Sequence, residues 1–456
     1  MQTQIFMVHK RHLGLRAPTV LAVGFALTIL VGALVLMLPV SAADGQITPF
    51  LDALFTAASA SCVTGLVTVS TAVHWSVFGK CVILLLIQIG GLGFMSVAAI
   101  ASFVLRRTIT LHERMVMSAG LNLSDGGGIV RLTRRVLFGT FIIEGAGAIL
   151  LSCRFVPHYG FPKGIVMGVF HAVSAFCNAG FDLMGTPDDP FQSLIGWAED
   201  PLVNITVMAL IVLGGLGFFV WSDVWDKHSF RRLRLHTKIV LTATAGLLLF
   251  GFGWTLLFEW SNPATLGAFD TPHKLLAAAF ESVTLRTAGF NTIDLGALTG
   301  PSQAVSCLLM FIGGSPGSTA GGIKTVTAAV LVLTAISAFC GRTTVSAFGR
   351  TIAPRSIMNA VTLLMAGGVL CLVGACAIAG IEDAPFHQCL FEAVSAFGTV
   401  GVSMGLTPTL AAASRVILIV MMYMGRVGVL TLGVAVFMRR REPPRLKYPD
   451  ADVFIG

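Results

Sequence analysis

Two phrases recur four times along this chain, always in the same order, and this repetition limits the possible folds more than any other feature. The first phrase opens on phenylalanine and closes on glycine: Phe55 and Gly65, Phe170 and Gly180, Phe280 and Gly289, Phe391 and Gly401 bound the four copies. The separation is 10 residues in three copies and 9 in the third. The second phrase is glycine-rich and starts at Gly90, Gly214, Gly313 and Gly425, at gaps of 25, 34, 24 and 24 residues from the close of the first. One supersecondary unit built four times is therefore expected, not a string of unrelated domains.

What surrounds the phrases fixes their medium. Long apolar runs precede them at 18–40, 130–155, 237–260 and 357–381, and follow through the second phrase at 77–105, 202–225, 302–339 and 413–438. Each is long enough to cross a bilayer, which takes about 20 residues, whereas the first phrase occupies only some 10–14 and is too short. Only 11% of the 456 residues are charged and mean hydropathy is +0.85, against about a quarter charged in soluble domains. The chain reads as an all-α integral membrane protein of eight transmembrane helices and four re-entrant pore hairpins, four-fold pseudo-symmetric. Its expected segments are a cytoplasmic N-terminus (1–17), repeats at 18–105, 129–225, 237–340 and 356–438, and a cytoplasmic tail (439–456).

Charge sets the orientation. Of 30 Lys and Arg, 22 fall in five short stretches at 10–16, 106–135, 227–238, 342–355 and 439–447. The alternate connections hold acids instead, among them Asp182, Asp188, Asp189, Glu199, Asp200, Asp270, Asp294, Glu382 and Asp383. Cytoplasmic loops retain basic residues, so both termini are expected in the cytoplasm and the hairpins on the external side. The basic excess then has no need of nucleic acid as a partner; contact with anionic membrane lipid is the simpler use. Nine cysteines without paired spacing read as free thiols.

Non-helical backbone at membrane depth is tolerated only inside protein or against a wet cavity, so the four loops are expected around one aqueous centre. Glycine permits the backbone conformations that turn carbonyls inward, rings of carbonyls replace a cation's hydration shell, and the half-helices aim their negative C-terminal ends at the same place. Thr399, Val400 and Gly401 are close to the TVG of potassium-channel filters. The four loops together with the glycine-rich 313–325 segment resemble the TrkH and KtrB potassium-uptake family, over 18–438. The start of the chain directly at the first repeat resembles KtrB more closely.

That resemblance implies ion-coordinating positions at Val63, Thr64 and Gly65; Asn178, Ala179 and Gly180; Thr287, Ala288 and Gly289; and Thr399, Val400 and Gly401. Gly65 favours potassium, since plant relatives with serine there resemble sodium transporters. It further implies potassium as the transported ion with sodium coupled or activating, a bacterial inner-membrane location, and a homodimer. The expected partner is a cytosolic KtrA- or TrkA-type regulatory ring that binds a nucleotide such as ATP, ADP or NAD.

Pro316 and five glycines prevent a regular helix through 313–325. By the resemblance, Gly313, Gly314, Ser315, Pro316, Gly317, Ser318, Thr319, Ala320, Gly321, Gly322 and Lys324 form an intramembrane gate under the filter. A nucleotide P-loop is disfavoured there because Ile323 splits the required Gly-Lys pair and no strand precedes it. Arg426 is a lone charge in an apolar run, expected to line the pore and hold the gate loop through its carbonyls. Arg286, beside the third filter loop, is expected to pin it by pairing with Glu281 or Glu392. The alternatives are an alternating-access sodium- or proton-coupled symporter and a membrane enzyme; the first lacks inverted repeats, the second an acid pair, histidine cluster or nucleophile.

Overall fold

The computed structural model describes residues 17–93, 129–429 and 431–433. The expected N-terminal segment up to residue 16, the ends of the first and fourth repeats, most of the 106–135 basic stretch and the tail at 439–456 lie outside the described residues. Each repeat begins with a long helix, followed by a short one and then by an inner helix that ends at or near the glycine-rich phrase. Repeat 1 comprises α1 (Ala17–Leu36), α2 (Phe50–Cys62) and α3 (Val77–Leu92); repeat 2 comprises α4 (Ile129–Tyr159), α5 (Lys163–Phe176), α6 (Pro201–Leu216) and α7 (Phe218–Lys227). Repeat 3 holds α8 (Leu235–Glu259), α9 (Thr271–Thr284), α10 (Gly300–Phe311) and α11 (Thr325–Phe339), and repeat 4 holds α12 (Pro354–Ile381), α13 (Phe386–Gly398) and α14 (Ala412–Val427). A two-stranded hairpin, β1 (Ser346–Ala347) with β2 (Arg350–Thr351), joins repeats 3 and 4.

The helices α1, α4, α8 and α12 are long and apolar enough to cross a membrane. The phrase helices α2, α5, α9 and α13 have 13 or 14 residues, about 20 Å at 1.5 Å per residue, short of a 30 Å hydrocarbon layer. The runs after them depart from the expectation of single helices. Three of these helices end at the last glycine of the second phrase, where φ is +82° at Gly93, +94° at Gly217 and +91° at Gly428, a backbone region closed to most side chains. At Gly217 the break turns α6 against α7 by 91°. In repeat 3 it widens into a loop over 312–324.

Packing closes the four units into a circle. Within each repeat the long helix lies along its own phrase helix: α1 on α2, α4 on α5, α8 on α9, α12 on α13. Between repeats, α3 packs on α5, α6 on α9, α10 on α13 and α14 on α2, returning to the start. The last seam carries an ion pair in which Arg415 Nη1 donates to Asp52 Oδ1 at 2.7 Å, while Thr68 Oγ1 donates to the same oxygen at 2.8 Å. Of the thiols, Cys62, Cys177, Cys371 and Cys389 are buried, but Cys81, Cys153, Cys340 and Cys376 stand exposed on the chain's surface, and none of the nine is bonded to another.

In repeats 1, 2 and 4 the first glycine of the second phrase allows the inner helix to touch the phrase helix of its own repeat. A methyl group on Gly90 would lie 2.2 Å from the Ser61 carbonyl oxygen, on Gly214 1.9 Å from that of Phe176, and on Gly425 1.9 Å from that of Phe397. The neighbour in each case is rigid backbone, so relief needs a shift of the whole helix. Gly214→Val is expected to destabilise the detergent-solubilised protein by about 1–3 kcal/mol, as overpacked cores do, read as a lowered apparent melting temperature. Gly246→Val, at a position with nothing within 4 Å, is expected to leave it unchanged.

Candidate ion-conducting site

Each phrase helix ends in the same unusual way. One to three residues past the helix the chain turns left-handed at Val63 (φ +57°), Asn178 (+57°), Thr287 (+70°) and Thr399 (+53°), and two residues later Gly65 (+98°), Gly180 (+68°), Gly289 (+84°) and Gly401 (+93°) do so again. The residue between, Thr64, Ala179, Ala288 or Val400, keeps the ordinary sign. Alternating the sign of φ points successive carbonyls to one side of the chain. Left-handed non-glycine residues cost about 1–3 kcal/mol each and cluster at functional sites; here three of the four are β-branched, the least tolerant type.

The four glycines meet around one axis. A methyl on Gly65 would lie 2.6 Å from the Ala179 oxygen, on Gly180 2.8 Å from that of Ala288, on Gly289 2.7 Å from that of Val400, and on Gly401 2.0 Å from that of Thr64. Each glycine faces the middle carbonyl of the next repeat, and the fourth returns to the first. The glycines and middle residues of the four expected triplets thus meet in one ring, and Val63, Asn178, Thr287 and Thr399 directly precede them in the chain.

Hydroxyls on the phrase helices hold the ring from behind. Ser59 Oγ accepts from Gly65 N at 3.0 Å, Thr284 Oγ1 donates to the Phe290 carbonyl at 2.6 Å, and Ser395 Oγ donates to Val402 O at 2.7 Å while accepting from Gly401 N at 3.2 Å. This Ser/Thr position is visible in every copy of the phrase, yet the sequence reading gave it no role. On one side of the ring opens a vestibule of about 240 Å³ lined by the four glycines, Asp182, Asn291, Asp294, Ser403 and Thr407 among others. Burial raises the Asp182 carboxyl to about 6 despite the hydrogen bond from Met184 N.

On the other side lies the 312–324 loop. Ser315 N donates to Gly215 O at 3.0 Å, Thr319 N to Gly214 O at 3.3 Å, and Phe218 N, at the start of α7, to Gly317 O at 2.9 Å. Thr319 Oγ1 lies 3.1 Å from the side-chain amide of Asn178. A methyl on Gly321 would meet Thr399 Oγ1 at 2.2 Å, so the loop is pressed against the filter entrance in repeat 4 as well as repeat 2. Within the loop, Ser315 and Thr325 hydroxyls pair at 2.9 Å and Lys324 Nζ donates to Ala320 O at 2.6 Å. Gly313, Gly314, Pro316, Ser318 and Gly322 complete this segment.

Arg426 reaches the loop from repeat 4. Its Nη1 donates to the Thr319 carbonyl, and its Nη2 to the carbonyls of Gly90 and, at 3.3 Å, Gly91. Arg286 corrects an expectation: among the described residues it forms no ion pair with Glu281 or Glu392. Its Nη2 donates instead to Gly313 O at 2.8 Å, because its side chain leaves the helix end toward the loop. Glu392 accepts from the hydroxyls of Ser403 and Thr407 and from Met404 N, whereas among the described residues neither Glu281 oxygen has a partner. In repeat 2 the same position holds His171, whose Nδ1 lies 2.7 Å from Met167 O and whose Nε2 accepts from Leu183 N.

Comparison with known proteins gives this geometry a family. The chain is 42% identical over 439 residues to the Ktr system potassium uptake protein B of Bacillus subtilis (strain 168), with 96% of each chain covered. It is 40% identical over 441 residues to the potassium/sodium uptake protein NtpJ of Enterococcus hirae, again with 96% of each covered. The crystal structure of the potassium transporter TrkH from Vibrio parahaemolyticus shares the fold at a TM-score of 0.71 and 17% identity, covering 94% of this chain and 86% of that one. The TrkH family, described as cation transport protein, matches residues 10–442. The chain belongs to this family of membrane cation transporters, which are not enzymes.

Proposed function

We propose that this protein takes up potassium across the bacterial inner membrane through the glycine ring, driven by the membrane potential. The observation that carries the reading is the closed circuit of Gly65, Gly180, Gly289 and Gly401, each against the next repeat's carbonyl. The family relationship and the names of the relatives support potassium as the ion. A monovalent cation gains about 2.3 kcal/mol per 100 mV on entry, so accumulation needs no ATP hydrolysis in this chain. In this reading the chain crosses the bilayer eight times, its four phrase helices are re-entrant, and both termini are cytoplasmic. The 313–325 loop is the gate, held by Arg426 and Arg286. Sodium couples to or activates transport, and the working unit is a homodimer on a cytosolic ring whose nucleotide state moves the gate.

The decisive experiment is cation flux into liposomes containing the chain, comparing potassium, rubidium, sodium and lithium, with Gly401→Asp as control. Potassium and rubidium flux that vanishes in the control supports the reading. Equal sodium and potassium flux, or flux untouched by the control, removes it in favour of a symporter. Gly65→Ser, whose new Cβ would sit 2.6 Å from the Ala179 oxygen, is expected to loosen rejection of sodium in the same assay. Deleting 313–325 is expected to raise flux and weaken its dependence on the regulator; unchanged flux would end the gating assignment.

External acid supplies a further check. With its carboxyl raised to about 6, Asp182 is charged at pH 7.5 and neutral at pH 5, so acidification removes a negative charge from the vestibule. One charge at intermediate dielectric changes cation occupancy by about 1 kcal/mol, roughly fivefold. Potassium uptake is expected to fall between these pH values, and the fall is expected to be absent in Asp182→Asn.

A further inference from the structure

Glu144 stands alone in the apolar middle of α4, in a helix long enough to span the membrane, and is only 4% exposed. Placing an acid there costs roughly 2.5–3.5 kcal/mol on insertion scales. Among the described residues it has no basic partner within ion-pair distance. Both of its oxygens lie 3.2 Å from Gln88 Nε2, on α3 of the preceding repeat. Cys177 Sγ lies 3.8 Å from Glu144 Oε1 and 3.7 Å from Gln88 Oε1.

Cys177 is the residue immediately before Asn178, where the second filter loop turns left-handed. On its other flank there is no room to retreat, since a methyl on Gly91 would lie 2.5 Å from Cys177 Sγ. The sulfur is thus wedged between the α3 backbone and the Glu144–Gln88 pair. Gly90 and Gly91 in turn offer their carbonyls to Arg426. The corresponding residues in the other repeats are Cys62, Arg286 and Gly398; Arg286 is tied to the Gly313 carbonyl, and Gly398 is packed so that a methyl would meet Met310 O at 2.5 Å.

We propose that Glu144 is a positioning residue for ion selectivity: by hydrogen bonding with Gln88 and Cys177 it fixes the height and angle of the second filter loop. This rests on the pore reading above. Glu144 and Gln88 act as one unit, so neither works without the other. The carboxyl serves here as an acceptor, a task that an amide oxygen also performs.

The test uses the full-length protein in liposomes and reads the ratio of potassium to sodium flux. Glu144→Ala and Gln88→Ala are each expected to lower the ratio about fivefold, the worth of one hydrogen bond. The double variant is expected to fall no further, because coupled residues are not additive, and Glu144→Gln is expected to stay within about twofold of wild type. Unchanged ratios in Glu144→Ala and Gln88→Ala overturn the inference, as do losses that multiply in the double variant. Glu144→Gln losing selectivity as Glu144→Ala does would also overturn it, since charge would then be the active property. If Glu144→Ala does not fold, Gln88→Ala and Glu144→Gln decide alone by the same criteria. Gly401→Asp separates the two levels: flux untouched by it removes the pore reading and this inference together, while flux abolished by it with unaltered ratios removes this inference only.

Discussion

A methyl group on any of Gly65, Gly180, Gly289 or Gly401 would come within 2.0–2.8 Å of the next repeat's backbone. Contact this close between four separate stretches of backbone is possible only if four helices deliver their ends to one point at one level. Each phrase helix is therefore short, with 13 or 14 residues, since a longer one would carry its end past the ring. Each is backed by a long helix of its own repeat and touched by the broken helix of the preceding one, so the ring is braced from every side. The non-helical backbone here is enclosed by protein and opens on the vestibule, the surroundings in which such backbone is tolerated in a membrane protein.

The ring is four-fold in its backbone and departs from that symmetry in its side chains. Position by position, the residue after the phrase phenylalanine is Thr56, His171, Glu281 or Glu392, and the residue before the filter is Cys62, Cys177, Arg286 or Gly398. Repeat 3 departs furthest. Its inner helix opens into a loop, and its Arg286 ties the filter to that loop through Gly313 O. A ring with equal backbone and unequal supports keeps the carbonyl geometry common to all four repeats while tying one quadrant alone to the loop through Arg286.

Much of this was legible in the sequence because it rests on glycine spacing and apolar length, both of which are local. The four-fold unit, the triplets whose glycines meet at one axis and the non-helical 313–325 segment were all readable. The left-handed turns at Val63, Thr287 and Thr399 were not, because β-branched residues argue against that conformation and only the surrounding packing enforces it. The Arg286 contact was missed for a related reason: composition suggested an acidic partner, whereas side-chain direction at the helix end selects a carbonyl. Glu144 did carry a signal, as a single acid in a long apolar run, but nothing in the linear order ties it to Gln88 56 residues earlier.

The second glycine phrase performs two tasks that depend on each other. Its first glycine brings the inner helix against the phrase helix, and its last glycine ends that helix at Gly93, Gly217 or Gly428. A helix that ends leaves its last four carbonyls without intrahelical partners. Those carbonyls are the ones the structure uses: Gly214 and Gly215 accept from Thr319 N and Ser315 N of the loop, and Gly90 and Gly91 accept from Arg426. Continuous inner helices would have kept these acceptors for themselves and left the loop with buried, unpaired amides. The breaks therefore create the anchorage for the loop beneath the ring, and the same glycine phrase that seats the inner helix against the phrase helix supplies the acceptors that hold the loop in place.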